Sequence, residues 1–194
     1  MSEDFFTEDA SSSDKPQDLF LKHLAKEKKW FIGEDVIDVE YLMLDPETIK
    51  TGIGRYAGGY EFEWAKERGS KIAKLDDTWK DAFSVWVFIS GQKKPVLWER
   101  MSWGEVKAFR EMCPSFWHGA NKEAPALPVF KYAGSKPVKF ESGFSSAIPE
   151  FEFQGYKPRP EEFIIPEWAG EDVPVAAELE QEAKAELKQD DIPF

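Results

Sequence analysis

Cysteine is almost missing from this chain of 194 residues. Cys113 stands alone, so no internal disulfide can form, and a reducing compartment is the natural setting. Histidine is nearly as scarce. His23 and His118 lie far apart with no companion ligand spacing, which argues against a zinc-type metal site and leaves both as ordinary surface or half-buried residues. Long apolar runs are lacking too. The longest uncharged stretch, Ala82 to Gln92, falls far short of the ~20 residues of a membrane span. The acidic start MSEDFFTEDA has no basic and apolar signal pattern. Glycines at 52, 54, 58 and 59 are not followed by Gly-Lys-Ser/Thr, so the phosphate-loop pattern is incomplete. No catalytic constellation stands out, and neither a cofactor nor a metal is expected. These absences point to a soluble, cytoplasmic, non-enzymatic protein.

Acidity is what the chain has in excess: 37 acidic against 25 basic side chains, a net charge of -12. Taken whole, such a protein repels nucleic acid and anionic membranes. The charge is unevenly placed, however. Residues 1–27 carry -4, residues 28–166 only -1, and residues 167–194 carry -7. The middle segment also holds 24 of the 29 aromatics, so a near-neutral, aromatic domain at 28–166 lies between acidic flanks. In the first flank a helix is expected from Ser13 or Asp14, with Leu19, Phe20, His23 and Leu24 sharing one face. The last flank reads as a disordered acidic tail with nascent helix.

The middle reads as strands. Val36–Met43 alternates loosely, Tyr60, Phe62 and Trp64 alternate with Glu61 and Glu63, and Ala82–Ser90 is apolar on both faces, as in a central strand. Gly91–Pro95 turns into Val96–Met101, giving a hairpin. Ser102-Trp-Gly-Glu105 has the form of a capping box opening a short helix that Pro114 closes. Further strands are expected at Val129–Ala133, Pro137–Glu141 and Phe151–Tyr156. The expected fold is mainly β: an OB-like five-stranded barrel with a short helix and insertions.

Lys50–Lys74 carries the chemistry of single-strand binding. Six cations (Lys50, Arg55, Lys66, Arg68, Lys71, Lys74) interleave with Tyr56, Tyr60, Phe62 and Trp64, and three glutamates leave the stretch at +3. A nucleic-acid single strand needs cations along its backbone and aromatic faces for its unstacked bases. In an ordinary hairpin the same aromatics fill the core, an equal reading for Phe62 and Trp64. Arg55 and Tyr56, in the glycine-rich loop, are expected to be exposed. Trp86 with Phe88, and Trp98 with Arg100, would add a stacking platform if their strand faces line the groove, although at least half of these tryptophans belong to a core. Lys93 and Lys94 at the hairpin tip can meet phosphate.

The chain ends in Asp190-Asp191-Ile192-Pro193-Phe194 after an acidic lead-in. Ile192 and Phe194 are large apolar groups on a charged tail, Pro193 stiffens the peptide between them, and the carboxylates suit a basic rim. The alternative is a terminal anchor folded onto the protein's own body. This tip resembles the C-terminal tip of bacterial single-stranded DNA-binding proteins. Pro149–Pro160 is similar to the closing strand and arm of bacteriophage single-stranded DNA-binding proteins. The resemblance implies single-stranded DNA as ligand, and recruitment of host or phage replication, recombination and repair proteins through residues 190–194. It also implies a bacterial host cytoplasm. Two rivals remain at this point: a decoy or adaptor that presents the tip without binding DNA, and a Mg²⁺-dependent nuclease using Asp76, Asp77 and Asp81. Isologous strand pairing would allow a homodimer, though no residue specifies one.

Overall fold

The uncharged run after Lys80 becomes the strand around which the rest is arranged. The computed structural model describes residues 19–117, 126–143 and 145–167. Among them are β1 (Leu21–Leu24), β2 (Lys29–Ile32), β3 (Asp35–Ile37), β4 (Tyr41–Leu44), β5 (Lys50–Tyr56), β6 (Tyr60–Trp64), β7 (Lys80–Ile89), β8 (Val96–Arg100), α1 (Trp103–Met112), β9 (Ala126–Lys139) and β10 (Ser145–Pro158). The protein is mainly β with one short helix. β1, β2 and β3 form a three-stranded sheet, and the other seven strands form a second. Both sheets are open among the described residues.

β7 is buried along most of its length because it is covered on both edges and both faces. Val87 pairs with both Leu44 and Val96, and Phe83 pairs with both Thr51 and Arg100. β4 and β5 therefore share one edge of β7, and β8 takes the other. Between β4 and β5 the chain bulges out as a 3-10 turn, Pro46–Thr48, started by Asp45, whose carboxylate accepts the Glu47 N–H. Thr48 Oγ1 returns to the ladder by accepting the Trp86 N–H at 2.9 Å. The sheet forks at this turn: β9 continues beyond β4, whereas β6 continues beyond β5.

One core lies between the large sheet, the small sheet and α1. Leu42, Leu44, Phe83, Val85, Val87, Ile89 and Trp98 of the large sheet meet Leu21 and Trp30 of the small one and Val106 and Phe109 of the helix. Phe83 and Phe109 stack with centroids 4.3 Å apart. The opposite face of β7 forms a smaller cluster, Trp86, Leu97, Leu127 and Phe163. Phe163 arrives from the segment after β10, where Arg159 pairs with buried Asp45. No helix among the described residues is long and apolar enough to cross a membrane.

Several expectations need correction. The helical face through His23 and Leu24 is a strand: Leu21 and His23 are buried in alternation, and β1 pairs with β2 across a turn in which Lys28 takes φ 55°. Cross-strand pairing and the packing of His23 on Trp30, 4.9 Å between centroids, override local helical preference. β1 therefore belongs to the folded unit, although it precedes the boundary drawn at residue 28. Val36–Met43 is split between the two sheets. The strands expected at Val129–Ala133 and Pro137–Glu141 are one long strand, β9, kinked at Gly134 (φ 106°) where the register with β10 shifts. Pro137 is accommodated because β9 pairs with β4 only through Val129–Lys131 and has no described strand on that side beyond it.

Candidate nucleic-acid interface

Three aromatic side chains at alternate positions of β6 project to one side of an edge strand. Tyr60 and Phe62 are near-parallel with ring centroids 6.2 Å apart, Phe62 and Trp64 with centroids 5.1 Å apart, and Tyr56 meets Tyr60 edge-on at 5.4 Å. Four rings thus follow a path of about 17 Å along the β5–β6 hairpin. Tyr56 and Tyr60 are 66% and 60% exposed, whereas Phe62 and Trp64 are half-buried.

The ladder lies on a floor of glycine. Pairing sets Trp64, Gly52 and Ala82 in one row and Phe62, Gly54 and Lys80 in the next. A Cβ at Gly52 would sit 2.1 Å from the Glu63 carbonyl oxygen, and one at Gly54 would press 2.7 Å from the Phe62 ring. The two glycines of β5 therefore serve close approach of β6, not a phosphate loop. Backbone polarity adds to the surface. Ala65 donates to the Thr51 carbonyl, so odd-numbered residues of β6 direct their backbone groups toward β5. Tyr60, Phe62 and Trp64 then turn their N–H groups toward the outer edge, where amides can donate to phosphate oxygens.

The cations divide. Lys66 and Lys71 are exposed, and Lys71 borders a shallow cleft of about 60 Å³ with Thr51, Gly52, Ser70, Ile72 and Asp81. Lys80, which the sequence reading passed over, is exposed in the same row as Phe62. Its signal was available: it stands two residues before the start of the central strand's apolar run. Lys50 is half-buried opposite Ser84. Arg55 occupies the reverse face of the hairpin, bonded to Glu61 at 2.6 Å and lying 4.8 Å over the Trp79 ring. Lys74 pairs with Asp81 at 3.0 Å. Arg68 donates to the Pro46 carbonyl and covers the Trp117 ring, and burial lowers its pKa against the opposing pull of Glu47 and Asp45. Arg68 is thus a structural clasp.

The second expected platform is not available to a base. Trp98 is 0% exposed, with its indole N–H donated to Glu105, and Trp86 is 3% exposed beneath Phe163. Trp86 is a core residue because its strand β7 is paired on two edges and packed on two faces, and Trp98 because Trp30, Phe83 and Phe109 close over its ring. Arg100 is an internal ion-pair partner. Burial works against its charge, but Glu105, 2.9 Å away, and then the Tyr60 hydroxyl outweigh this and raise its pKa. Lys93 and Lys94 are exposed, but they follow the far end of β7, about 30 Å from the Lys80 row at the rise of a strand.

Glu105 is the residue whose role sequence reasoning misjudged. In place of the expected box, Ser102 makes no side-chain cap bond. The carboxylate, only 2% exposed, accepts from the His23 N–H, Trp98 Nε1, Arg100 Nε and the Ser102 hydroxyl. Among the acidic residues of the rival nuclease reading, Asp76 is held below the usual carboxylate range by its bonds from Thr78. Burial works against the Asp81 charge, but Lys74 and Arg110 outweigh it and likewise lower its pKa. Among the described residues no group of three His, Cys, Asp or Glu converges to hold a metal ion. Asp190, Asp191, Ile192, Pro193 and Phe194, together with His118, lie outside the described residues. No family model, curated protein or solved structure matches the chain.

Proposed function

We propose that this chain binds single-stranded DNA with little sequence preference, on an OB-like barrel, and that its C-terminal tip docks replication, recombination and repair proteins. The observation that carries the reading is the ladder of Tyr56, Tyr60, Phe62 and Trp64 on an edge hairpin, with Lys80 in its row. Tyr56 and Tyr60 stand mostly exposed at the end of this ladder, and base–aromatic stacking is worth about 1–3 kcal/mol per base. Tyr56 and Tyr60 are the stacking rings. Phe62 and Trp64 fix their orientation and offer their outer edges. Lys66, Lys71 and Lys80 neutralise phosphates. The acidity of the whole chain does not oppose this, because -11 of its charge lies outside residues 28–166.

The test is a titration of the full-length protein with oligo-dT, read by tryptophan fluorescence. Affinity should fall with salt at a log–log slope of roughly -0.7 per phosphate neutralised. Tyr60→Ala should weaken binding by about fivefold or more. No binding by the wild-type protein at low salt refutes the proposal. Removal of residues 167–194 should abolish capture of repair proteins and leave DNA binding in place.

A further inference from the structure

The β1–β2 hairpin turns through Lys26-Glu27-Lys28-Lys29, all exposed, and with Lys22 it carries four cations against one glutamate. Glu27 and Lys28 both donate their N–H to the Leu24 carbonyl, and Lys28 closes this turn at φ 55°. It is the one non-glycine residue with positive φ among the described residues. The left-handed conformation strains a long side chain, and glycine would fill the position without that strain. Among the described residues none of the four lysines is held in an ion pair, whereas Arg55, Arg68 and Lys74 are all engaged.

Pairing brings this hairpin to the ladder's end of the large sheet. Phe20 bridges in parallel to Leu97, so β1 runs alongside β8 toward Arg100, and the His23 N–H meets the same Glu105 carboxylate that Arg100 does. Arg100 pairs with Phe83 and Phe83 with Thr51, beyond which β5 leads to the tip that carries Tyr56 and Tyr60. Both hairpin tips therefore leave the same end of the sheet, four strand spacings or about 20 Å apart. The sides agree as well. Phe20 packs with Trp86 and Leu97, while Leu21 enters the main core. Alternation then puts Lys22 on the face of the large sheet that carries the ladder, and the register gives Lys29 the same side. The Lys22 ammonium lies 5.7 Å over the Phe31 ring.

Resting on the nucleic-acid reading above, we propose that the β1–β2 hairpin is a second binding element, which holds the phosphodiester backbone of the strand whose bases stack on the ladder. Lys22, Lys26, Lys28 and Lys29 neutralise phosphates there. The two hairpins divide the chemistry: the ladder supplies rings for bases, and the β1–β2 turn supplies free charge for the backbone. A strand longer than the ladder is needed to reach both. The strain at Lys28 is retained because its cation serves binding, not folding.

The experiment titrates dT30 at several salt concentrations into full-length wild type, Lys28→Gly, Lys26→Gln/Lys29→Gln and Lys93→Gln/Lys94→Gln, with urea midpoints alongside. The last variant removes two charges beyond the opposite end of β7. Lys28→Gly should raise the urea midpoint and yet weaken dT30 binding. Lys26→Gln/Lys29→Gln should weaken binding at low salt about tenfold and make the log–log salt slope shallower by about 1.4. Lys93→Gln/Lys94→Gln should match wild type. Wild-type affinity and slope in the hairpin variants, or an equal change in Lys93→Gln/Lys94→Gln, overturns this inference while leaving the ladder standing. A Lys28→Gly protein that loses stability along with affinity overturns it too. Failure of the wild-type protein to bind dT30 at low salt overturns both readings.

Discussion

Replacing Glu105 by glutamine changes no volume and removes one charge at the place where the strand β8, the helix α1 and the small sheet meet. The amide oxygen can still accept from the His23 N–H and Trp98 Nε1, which share Oε1 at 3.0 and 3.1 Å. The amide nitrogen is then forced against Arg100 Nε, donor facing donor, where the carboxylate now sits at 2.9 Å. Removing one partner of a buried pair costs about 3–5 kcal/mol. The Arg100 side chain keeps 19% exposure, so water recovers part of the loss and the lower end, about 3 kcal/mol, applies. With an m-value near 2 kcal/mol/M, the urea midpoint should fall by about 1.5 M. Arg100→Met combined with Glu105→Gln should recover much of this, because the stranded cation is gone. A single-variant loss below about 1 kcal/mol, or a double variant no more stable than the sum of its parts, refutes the account.

Gly52→Ala should destabilise more than Gly54→Ala in the same urea assay. The first drives a methyl into the Glu63 backbone carbonyl, and the second meets a Phe62 ring that can swing aside; equal midpoints would contradict this. Burial lowers the His23 pKa, with Glu105 partly opposing it, so the fold favours the neutral ring. Stability from this residue is complete above the unfolded value near pH 6.5 and is lost as pH falls through the lower folded value. His23→Gln should flatten that slope in midpoints measured from pH 7.5 to 5, and an unchanged slope would reject it. Burial pushes the Cys113 thiol up to about 12, so a thiol reagent at pH 8 should modify the native protein only as fast as it opens, and rapid stoichiometric labelling would show the site to be open.

Several strands could be read along the chain because alternation at Tyr60–Trp64 and the two-sided apolar run at Ala82 each allow one secondary structure. The helix after Ser102 was equally plain, although Glu105 turns inward to Arg100 and Trp98 rather than back to the cap. What periodicity does not reveal is which face of a strand is wet. Trp64 and Trp98 occupy similar alternating patterns, yet β6 is an edge and β8 is closed over by α1. Arg55 and Arg68 show the same limit: their charge is visible in sequence, but not that Glu61 and the Pro46 carbonyl engage it. β1 is not legible in sequence, because four apolar or amphipathic residues satisfy a helical face as well as a strand until a pairing partner is known. The role of the glycine pair at 52 and 54 is not legible in sequence, since it depends on a strand folded back from about ten residues away.

Asp45 and Arg159 are separated by 114 positions. At synthesis rates of 5–20 residues per second, on the order of 10 s pass between the emergence of the carboxylate and that of its cation. During that interval the turn between β4 and β5 carries a charge that cannot yet be buried, and Phe163 is not present to cover Trp86. Docking of the 159–165 segment is therefore a late event in biogenesis. A nascent chain stalled short of Arg159 displays the bare Trp86 and Leu97 face, the kind of surface that chaperones hold until the last stretch of the domain is delivered.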